Sequence, residues 1–272
     1  MPASSVKILS GDDGFADFCN IVGMSEGEAS ARRVLLRQSF MPFKVTQYYA
    51  ETIARLRDPY RTHLINIVVP PNNFAPFTGR FDPYGNVRVR QGTHPFLQHK
   101  YEKTLLLHID DFCIANCQFC YKVKEIRHDK TVQLSYNRKL LDTLAYIDAN
   151  PEIDNVLFTG GDPASFRRSR ELVTLIDGLL SHRQIRIVRF ATKALAYDPV
   201  RLTDASLLSY FDQIRRRSGK QVAIIAHVSH PAEFTTQACD AISCLHQVGV
   251  QIRAQPTIAR GINDSVPVLI EL

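Results

Sequence analysis

"TLLLHIDDFCIANCQFCYK", residues 104–122, joins an apolar run to three cysteines, Cys113, Cys117 and Cys120. The run reads as a buried strand, so the thiols fall on the loop that follows it. Four more short apolar runs come later: "NVLFTG" (155–160), "IRIVRFA" (185–191), "QVAIIAH" (221–227) and "VQIRAQP" (250–256). Amphipathic stretches such as "NRKLLDTLAYIDA" and "RELVTLIDGLLSH" lie between them. This alternation predicts an α/β fold of repeated β-α units, with parallel strands in an open doubly wound sheet or in a barrel. In both, chemistry gathers at the carboxyl ends of the strands. The three cysteines follow the first strand, "GGDP" (160–163) the second, "HVSHP" (227–231) the fourth, and "ARGIND" (259–264) lies beyond the fifth.

Upstream, the character differs. "SEGEASARRVLLRQSF" and "VTQYYAETIARLRD" read as helices, and "VVPPNNFAPFTGRFDPYGN" (68–86) as turns, so residues 1–100 are expected to form a helical N-terminal arm and linker, and residues 101–272 the β-α domain. A chain of 272 residues with 45% hydrophobic residues can bury a real core and is not of the disordered class. No run approaches the roughly 18 apolar residues of a membrane helix, and the start lacks the apolar core of a secretory signal, which gives a cytoplasmic expectation. The net charge of +6 raises the question of nucleic acid. The densest basic run, "IRRRSGK" (214–220), sits at the end of a predicted helix, where cations complement the dipole, so a solvated helix end is favoured over a polyanion site.

Six cysteines in a chain this long do not make a disulfide framework. A structural zinc usually takes four ligands from paired hooks. Here there is one hook of three, and Cys19, Cys239 and Cys244 lie elsewhere. Three thiolates on one loop suit a cubane iron-sulfur cluster with one iron left open. A zinc site completed by a distant histidine, and inert cysteines, remain open at this point.

"CIANCQFC", with Phe119 just before the third cysteine, resembles the signature of radical S-adenosylmethionine enzymes. "HKYEKTLLLHIDDFC", "VLFTGGDPA", "IVRFATKA", "HVSHPAEFT" and "AQPTIARGINDS" are similar, in order and spacing, to the lysine 2,3-aminomutase family. The resemblance implies a partial β/α barrel whose sixth strand is missing from this chain. It implies a 4Fe-4S cluster on Cys113, Cys117 and Cys120, with S-adenosylmethionine chelated to the free iron. Phe119 would pack near the adenine, with a core aromatic as the alternative. Gly160 and Gly161 would let backbone approach the ligand, and Asp162 would attract its ammonium or cap the following helix. His227 and Gln255 are candidates for polar contacts to the nucleoside or methionine carboxylate, a buried structural histidine being the other reading. Arg189, if it faces inward, needs an anionic partner, either a ligand carboxylate or Asp162.

The implied reaction is electron transfer from the cluster, release of a 5'-deoxyadenosyl radical and hydrogen abstraction, with pyridoxal phosphate carrying an amino group between carbons. The sequence departs from the family in that second half. Gln118, Lys122, Lys100 and Thr104 stand where relatives carry arginine, while Tyr101 is retained. Glutamine and threonine do not replace a planar two-toothed donor, so pyridoxal phosphate binding is expected to be weakened or absent, with Lys100, Tyr101 and Lys122 left as candidate anion contacts. The family's acidic substrate residues and its imine-forming lysine would lie beyond Leu272. The chain is therefore expected to be a fragment, its last strand and helix covered by the missing part or by a second copy. Three functions follow as expectations. One is an aminomutase-like isomerase acting on an amino acid or a protein lysine. Another is a radical enzyme without the pyridoxal step, and the third a non-catalytic cluster scaffold. Either enzyme would need a low-potential electron donor such as flavodoxin or ferredoxin.

Overall fold

The computed structural model describes residues 6–74, 94–123, 135–165, 169–217 and 219–272. The part of the predicted turn region at 75–86 lies outside them. Near the amino end, β1 (Ile8–Ser10) pairs antiparallel with β2 (Lys44–Thr46). Around this ribbon lie α1 (Gly11–Val22), α2 (Glu26–Gln38), α3 (Gln47–Ala54) and α4 (Tyr60–Val68). The Ser25 hydroxyl caps α2 and the Thr46 hydroxyl caps α3, each accepting a backbone N–H that the first helical turn leaves without a partner.

The second sheet has six strands in unbroken sequence order: β3 (Leu97–Tyr101), β4 (Thr104–Asp110), β5 (Asn155–Gly160), β6 (Ile187–Thr192), β7 (Gln221–Ala226) and β8 (Gln251–Ala254). The ladders from β4 to β8 are parallel, and β3 is an antiparallel edge on β4. An order with no reversal is not the doubly wound arrangement, which switches direction at its middle. Connections run through α5 (Tyr136–Asp148), α6 (Ser169–Ser181), the short α7 (Ala194–Tyr197), α8 (Ala205–Arg215) and α9 (Thr236–Gln247); α10 (Val266–Glu271) follows β8.

Strand alternation decides which face is covered. Leu105, Leu107, Val156, Phe158, Val188, Phe190, Val222 and Ile224 share one face and pack with Ile147, Leu172, Ile176, Phe211 and Leu245 from the helices. Phe158 and Phe190 are fully buried, and each such side chain contributes about 1.5–3 kcal/mol. The opposite face carries Thr104, Leu106, Asn155, Leu157, Thr159 and Arg189, all only half-buried. One face is thus sealed by helices and the other left accessible.

The amino-terminal helices build a second core that reaches the loop after β4. Phe15, Phe18, Phe43, Tyr49, Ile53 and Val68 pack with Ile114, Ala115 and Cys117, and with Tyr197 of α7. Lys44, Pro42, Ile67 and Val68 supply backbone oxygens that this loop binds, so the amino-terminal segment is the outer wall of the cysteine loop. Among the described residues no helix is long and apolar enough to cross a membrane. Three arginines of the basic run are held in ion pairs, Arg215 and Arg216 with Asp212 and Arg217 with Asp177.

Candidate functional site

The loop after β4 is gripped from two sides. On the sheet side, Gly161 N–H donates to Asp110 O at 2.6 Å and Asp162 N–H to Phe112 O at 2.8 Å. A Cβ on Gly160 would lie 2.2 Å from Asp110 O, and one on Gly161 2.2 Å from Phe112 O. Gly160 also has φ +123°, a conformation open to glycine. The expected close approach at these two positions is therefore made by the protein's own backbone, which fixes the cysteine loop against the end of β5. On the outer side, Asn116 N–H donates to Lys44 O at 2.9 Å, and its side-chain amide to Pro42 O at 2.9 Å. Gln118 donates its backbone N–H to Ile67 O at 2.8 Å and its side-chain N–H to Val68 O at 3.0 Å, while its Oε1 accepts from Ser39 Oγ at 2.6 Å. Gln118 is thus a clamp between the loop and the amino-terminal core.

Cys113 and Cys117 are buried and Cys120 is half-buried, and all six cysteines of the chain are free thiols. Among the described residues no three His, Cys, Asp or Glu side chains converge so that they could hold a metal ion. What gathers at the three thiols is two lysines and a histidine ring. Lys193, just past the end of β6, is buried with its Nζ 3.1 Å from Cys117 Sγ and 2.9 Å from Ala115 O. His227 Nε2 lies 3.8 Å from the same sulfur, and Lys44 Nζ sits over the Phe112 ring at 4.7 Å.

These charges sort the thiols. Burial pushes Cys113 up to about 12, against the pull of Lys193. Burial also raises Cys120, again opposed by Lys193. At Cys117 burial acts in the same direction, but the Lys193 ammonium and the His227 ring together outweigh it and bring the thiol down to about 7. Lys193 itself is raised: burial would neutralise it, and the surrounding sulfurs prevail. Cys117 is therefore the thiol most readily ionised at neutral pH.

The other expected site residues divide. Phe119 lies beside His227, ring centroids 6.0 Å apart. Asp162 is buried, and its carboxylate is already engaged: Oδ1 accepts from Ala164 N–H (3.0 Å) and Thr192 Oγ (2.6 Å), and Oδ2 from Lys193 N–H (3.2 Å). It caps the turn at Pro163–Ser165 and ties the ends of β5 and β6 together, the capping role of the two weighed for it. Arg189 does not meet Asp162. Its guanidinium donates to Asn155 Oδ1 at 2.5 Å and Thr104 Oγ1 at 3.4 Å, at the amino-terminal ends of β4 and β5. Gln255 is exposed just beyond β8, its N–H donating to Ala226 O at 2.8 Å.

Lys122 reaches the accessible face, donating to Thr159 Oγ1 and, at 3.4 Å, to Gly160 O. Lys100 and Tyr101 close β3 beside the β3–β4 turn, at the other end of β4, with Tyr101 60% exposed. Seven residues of β4, roughly 23 Å of strand, separate that turn from the cysteine loop. In "ARGIND", Asn263 is fully buried and bonds Ser229 O, Thr257 O and Ala259 N–H, bracing the loops after β7 and β8. Lys193 and Lys44 were not singled out in the sequence. Lys193 had a signal, its place one residue beyond a strand end; Lys44 had none.

No protein-family model matches the chain. Individual relatives do. A "Putative L-lysine 2,3-aminomutase" of Aquifex aeolicus is 33% identical over 233 residues, 84% of this chain and 59% of that protein. The L-lysine 2,3-aminomutase of Escherichia coli is 31% identical over 65% of this chain and 49% of its own length. That of Bacillus subtilis is 25% identical over 94% of this chain and 52% of its own. The chain thus spans 49% to 59% of the length of these relatives. Relatives of one name in distant bacteria, matched across most of these residues, show that the chain belongs to the lysine 2,3-aminomutase family of the radical S-adenosylmethionine superfamily.

Proposed function

We propose that this chain is the cofactor-binding part of a radical S-adenosylmethionine enzyme, its parallel strands forming a partial barrel that carries a 4Fe-4S cluster on Cys113, Cys117 and Cys120. The observation that carries the reading is the buried, doubly clamped three-cysteine loop at the carboxyl end of β4, with a lysine ammonium set among its thiols. The donor set fits the group in kind, since the three thiols need not converge on one ion. A cubane takes one thiolate per iron at separate corners, and three thiolates in a buried site need compensating cations, which Lys193 and Lys44 supply.

When bound, such a cluster with S-adenosylmethionine supplies a one-electron reduction that releases a 5'-deoxyadenosyl radical able to abstract hydrogen. The chain's own residues hold and shield that chemistry. The glycine pair fixes the height of the loop above the sheet, and Asn116 and Gln118 fix its outer edge. Asp162 locks the ends of β5 and β6, keeping Lys193 in place. Phe119 and His227 form a wall beside Cys117 on which an adenine can pack. The accessible sheet face below is where a substrate would lie, with Lys122 as its nearest cation for a carboxylate. An electron donor of low potential would serve from outside. The test uses anaerobically reconstituted protein with dithionite and S-adenosylmethionine: 5'-deoxyadenosine and methionine should form in equal amounts. An intact cluster that yields neither would turn the reading toward a scaffold.

A second reading, in which the pyridoxal step is lost, is favoured by specific contacts. Gln118 has its side-chain amide committed to Ser39 and Val68, and Thr104 is bonded to Asn155 and Arg189. Two of the family's arginine positions are thus filled by neutral residues already engaged with protein. Each lost charge-assisted bond removes about 1.5–3 kcal/mol, so two losses weaken binding by roughly two to four powers of ten. Titration of the full-length protein with pyridoxal phosphate, followed by borohydride trapping, should label no lysine stoichiometrically at micromolar cofactor. One fully labelled lysine at that concentration would restore the pyridoxal mechanism.

A further inference from the structure

Lys193 occupies a place that neither capping nor packing explains. Its ammonium lies beneath the cysteine loop, donating to Ala115 O at 2.9 Å and to Cys117 Sγ at 3.1 Å. Its third N–H has no oxygen or sulfur acceptor among the described residues, and the Tyr197 ring lies 5.6 Å away on another side. Cys113, Cys117, Cys120 and Asp162 all lie in electrostatic range of it. Asp162 is held by its own hydrogen bonds to Thr192 and Ala164 and to the backbone of Lys193, so it does not form an ion pair with the ammonium. A cation is thus buried against the ligand set, in contact with a ligand sulfur, with one donor to spare.

We infer that Lys193 is a positioning residue that sets the reduction potential of the cluster held by Cys113, Cys117 and Cys120. The inference rests on the reading of those cysteines as cluster ligands. Reduction adds one electron, taken from a low-potential one-electron donor, and no bond forms or breaks. The added negative charge falls on the iron and sulfur atoms, and the potential of such a cluster follows its net charge and the hydrogen bonds to its sulfurs. A lysine 3.1 Å from the Cys117 sulfur supplies both. It stabilises the reduced form more than the oxidised one, so the cluster accepts its electron at a less negative potential. Arginine could keep the charge and a donor; methionine keeps the stem length and loses both.

The test is an EPR-monitored dithionite titration of the reconstituted chain and its Lys193→Met and Lys193→Arg forms. At a fixed potential, Lys193→Met should lower the ratio of reduced to oxidised cluster at least tenfold, equivalent to about 59 mV for one electron. Lys193→Arg should stay within about threefold of the unsubstituted protein. A Lys193→Met cluster with an unchanged midpoint overturns this inference alone, whereas no cluster in the unsubstituted protein overturns the underlying reading and this one with it. If Lys193→Met fails to retain iron, the decision passes to the unsubstituted protein grown with 15N-lysine. Pulsed EPR of its reduced cluster should show coupling to one lysine nitrogen that Lys193→Arg removes, and a spectrum without that coupling overturns the proposal.

Discussion

Cys117→Ala should leave a folded chain that retains less than about a tenth of the iron of the unsubstituted protein after anaerobic reconstitution. Among the three thiols Cys117 is the one in hydrogen-bond contact with the Lys193 ammonium, at 3.1 Å, and with the His227 ring, at 3.8 Å. It is also the one whose thiolate is favoured near neutral pH, and metal ligation requires the thiolate. The side chain packs at the edge of the amino-terminal core, where removal of one sulfur leaves a small void rather than a broken network. Iron and sulfide analysis, with circular dichroism to check folding, reads the effect. A variant that holds a full complement of iron would show that Cys117 is not a ligand.

Gly160→Ala should destabilise the protein by about 3 kcal/mol or more, a large part of the stability of a typical domain. Two effects act together. At φ +123° a side chain strains the backbone by roughly 1–3 kcal/mol, and its Cβ would meet Asp110 O at 2.2 Å and the His108 ring at 3.0 Å, for a further 1–3 kcal/mol. Backbone on one side and a buried ring on the other leave little room for relief, so the cysteine loop itself must shift. Gly27→Ala supplies the contrast: that position, in the first turn of α2, has nothing within 4 Å of a new Cβ, and the change there should be neutral or stabilising by up to about 1 kcal/mol. Urea unfolding of the two variants measures the difference, and equal midpoints would contradict the packing argument.

These glycines also show where sequence reading reached its limit. "TGGDP" was read as a place where backbone comes close to a ligand; the approach to the protein's own backbone at 110–112 was not foreseen, because that partner lies fifty residues earlier. The parallel strands were legible because each is a short apolar run between turn residues: "NVLFTG" matches β5 residue for residue, and the others agree within two or three positions. β3 was missed because "LQHKY" is mostly polar and pairs on an edge, where burial imposes little pattern. β1 and β2 have three residues each, too few to show a period. α4 was passed over because "YRTHLINIV" shows no simple polar face; Leu64 to Val68 are all buried between the amino-terminal core and the loops beyond it.

Within the candidate site, the cysteines were singled out by spacing, His227 by its strand-end position and Phe119 by the family resemblance, and the structure brings Cys117, Phe119 and His227 together. Arg189 was expected to need an anionic partner, a ligand carboxylate or Asp162, and instead donates to the neutral Asn155 and Thr104, because strand alternation alone cannot tell which end of a strand a long side chain reaches toward. Gln118 looked like a lost ligand contact and is a clamp to the amino-terminal core, a role that depends on Ser39 and Val68, remote in sequence.

The central claim, that the three-cysteine loop carries a cubane cluster with an open iron, is tested most directly by the metal and sulfide content of the anaerobically reconstituted chain, followed by EPR with and without S-adenosylmethionine. The account predicts about four irons and four sulfides per chain, with a reduced-state signal that changes when S-adenosylmethionine is added. One tightly bound zinc per chain with no sulfide, or a cluster signal indifferent to S-adenosylmethionine, would contradict it.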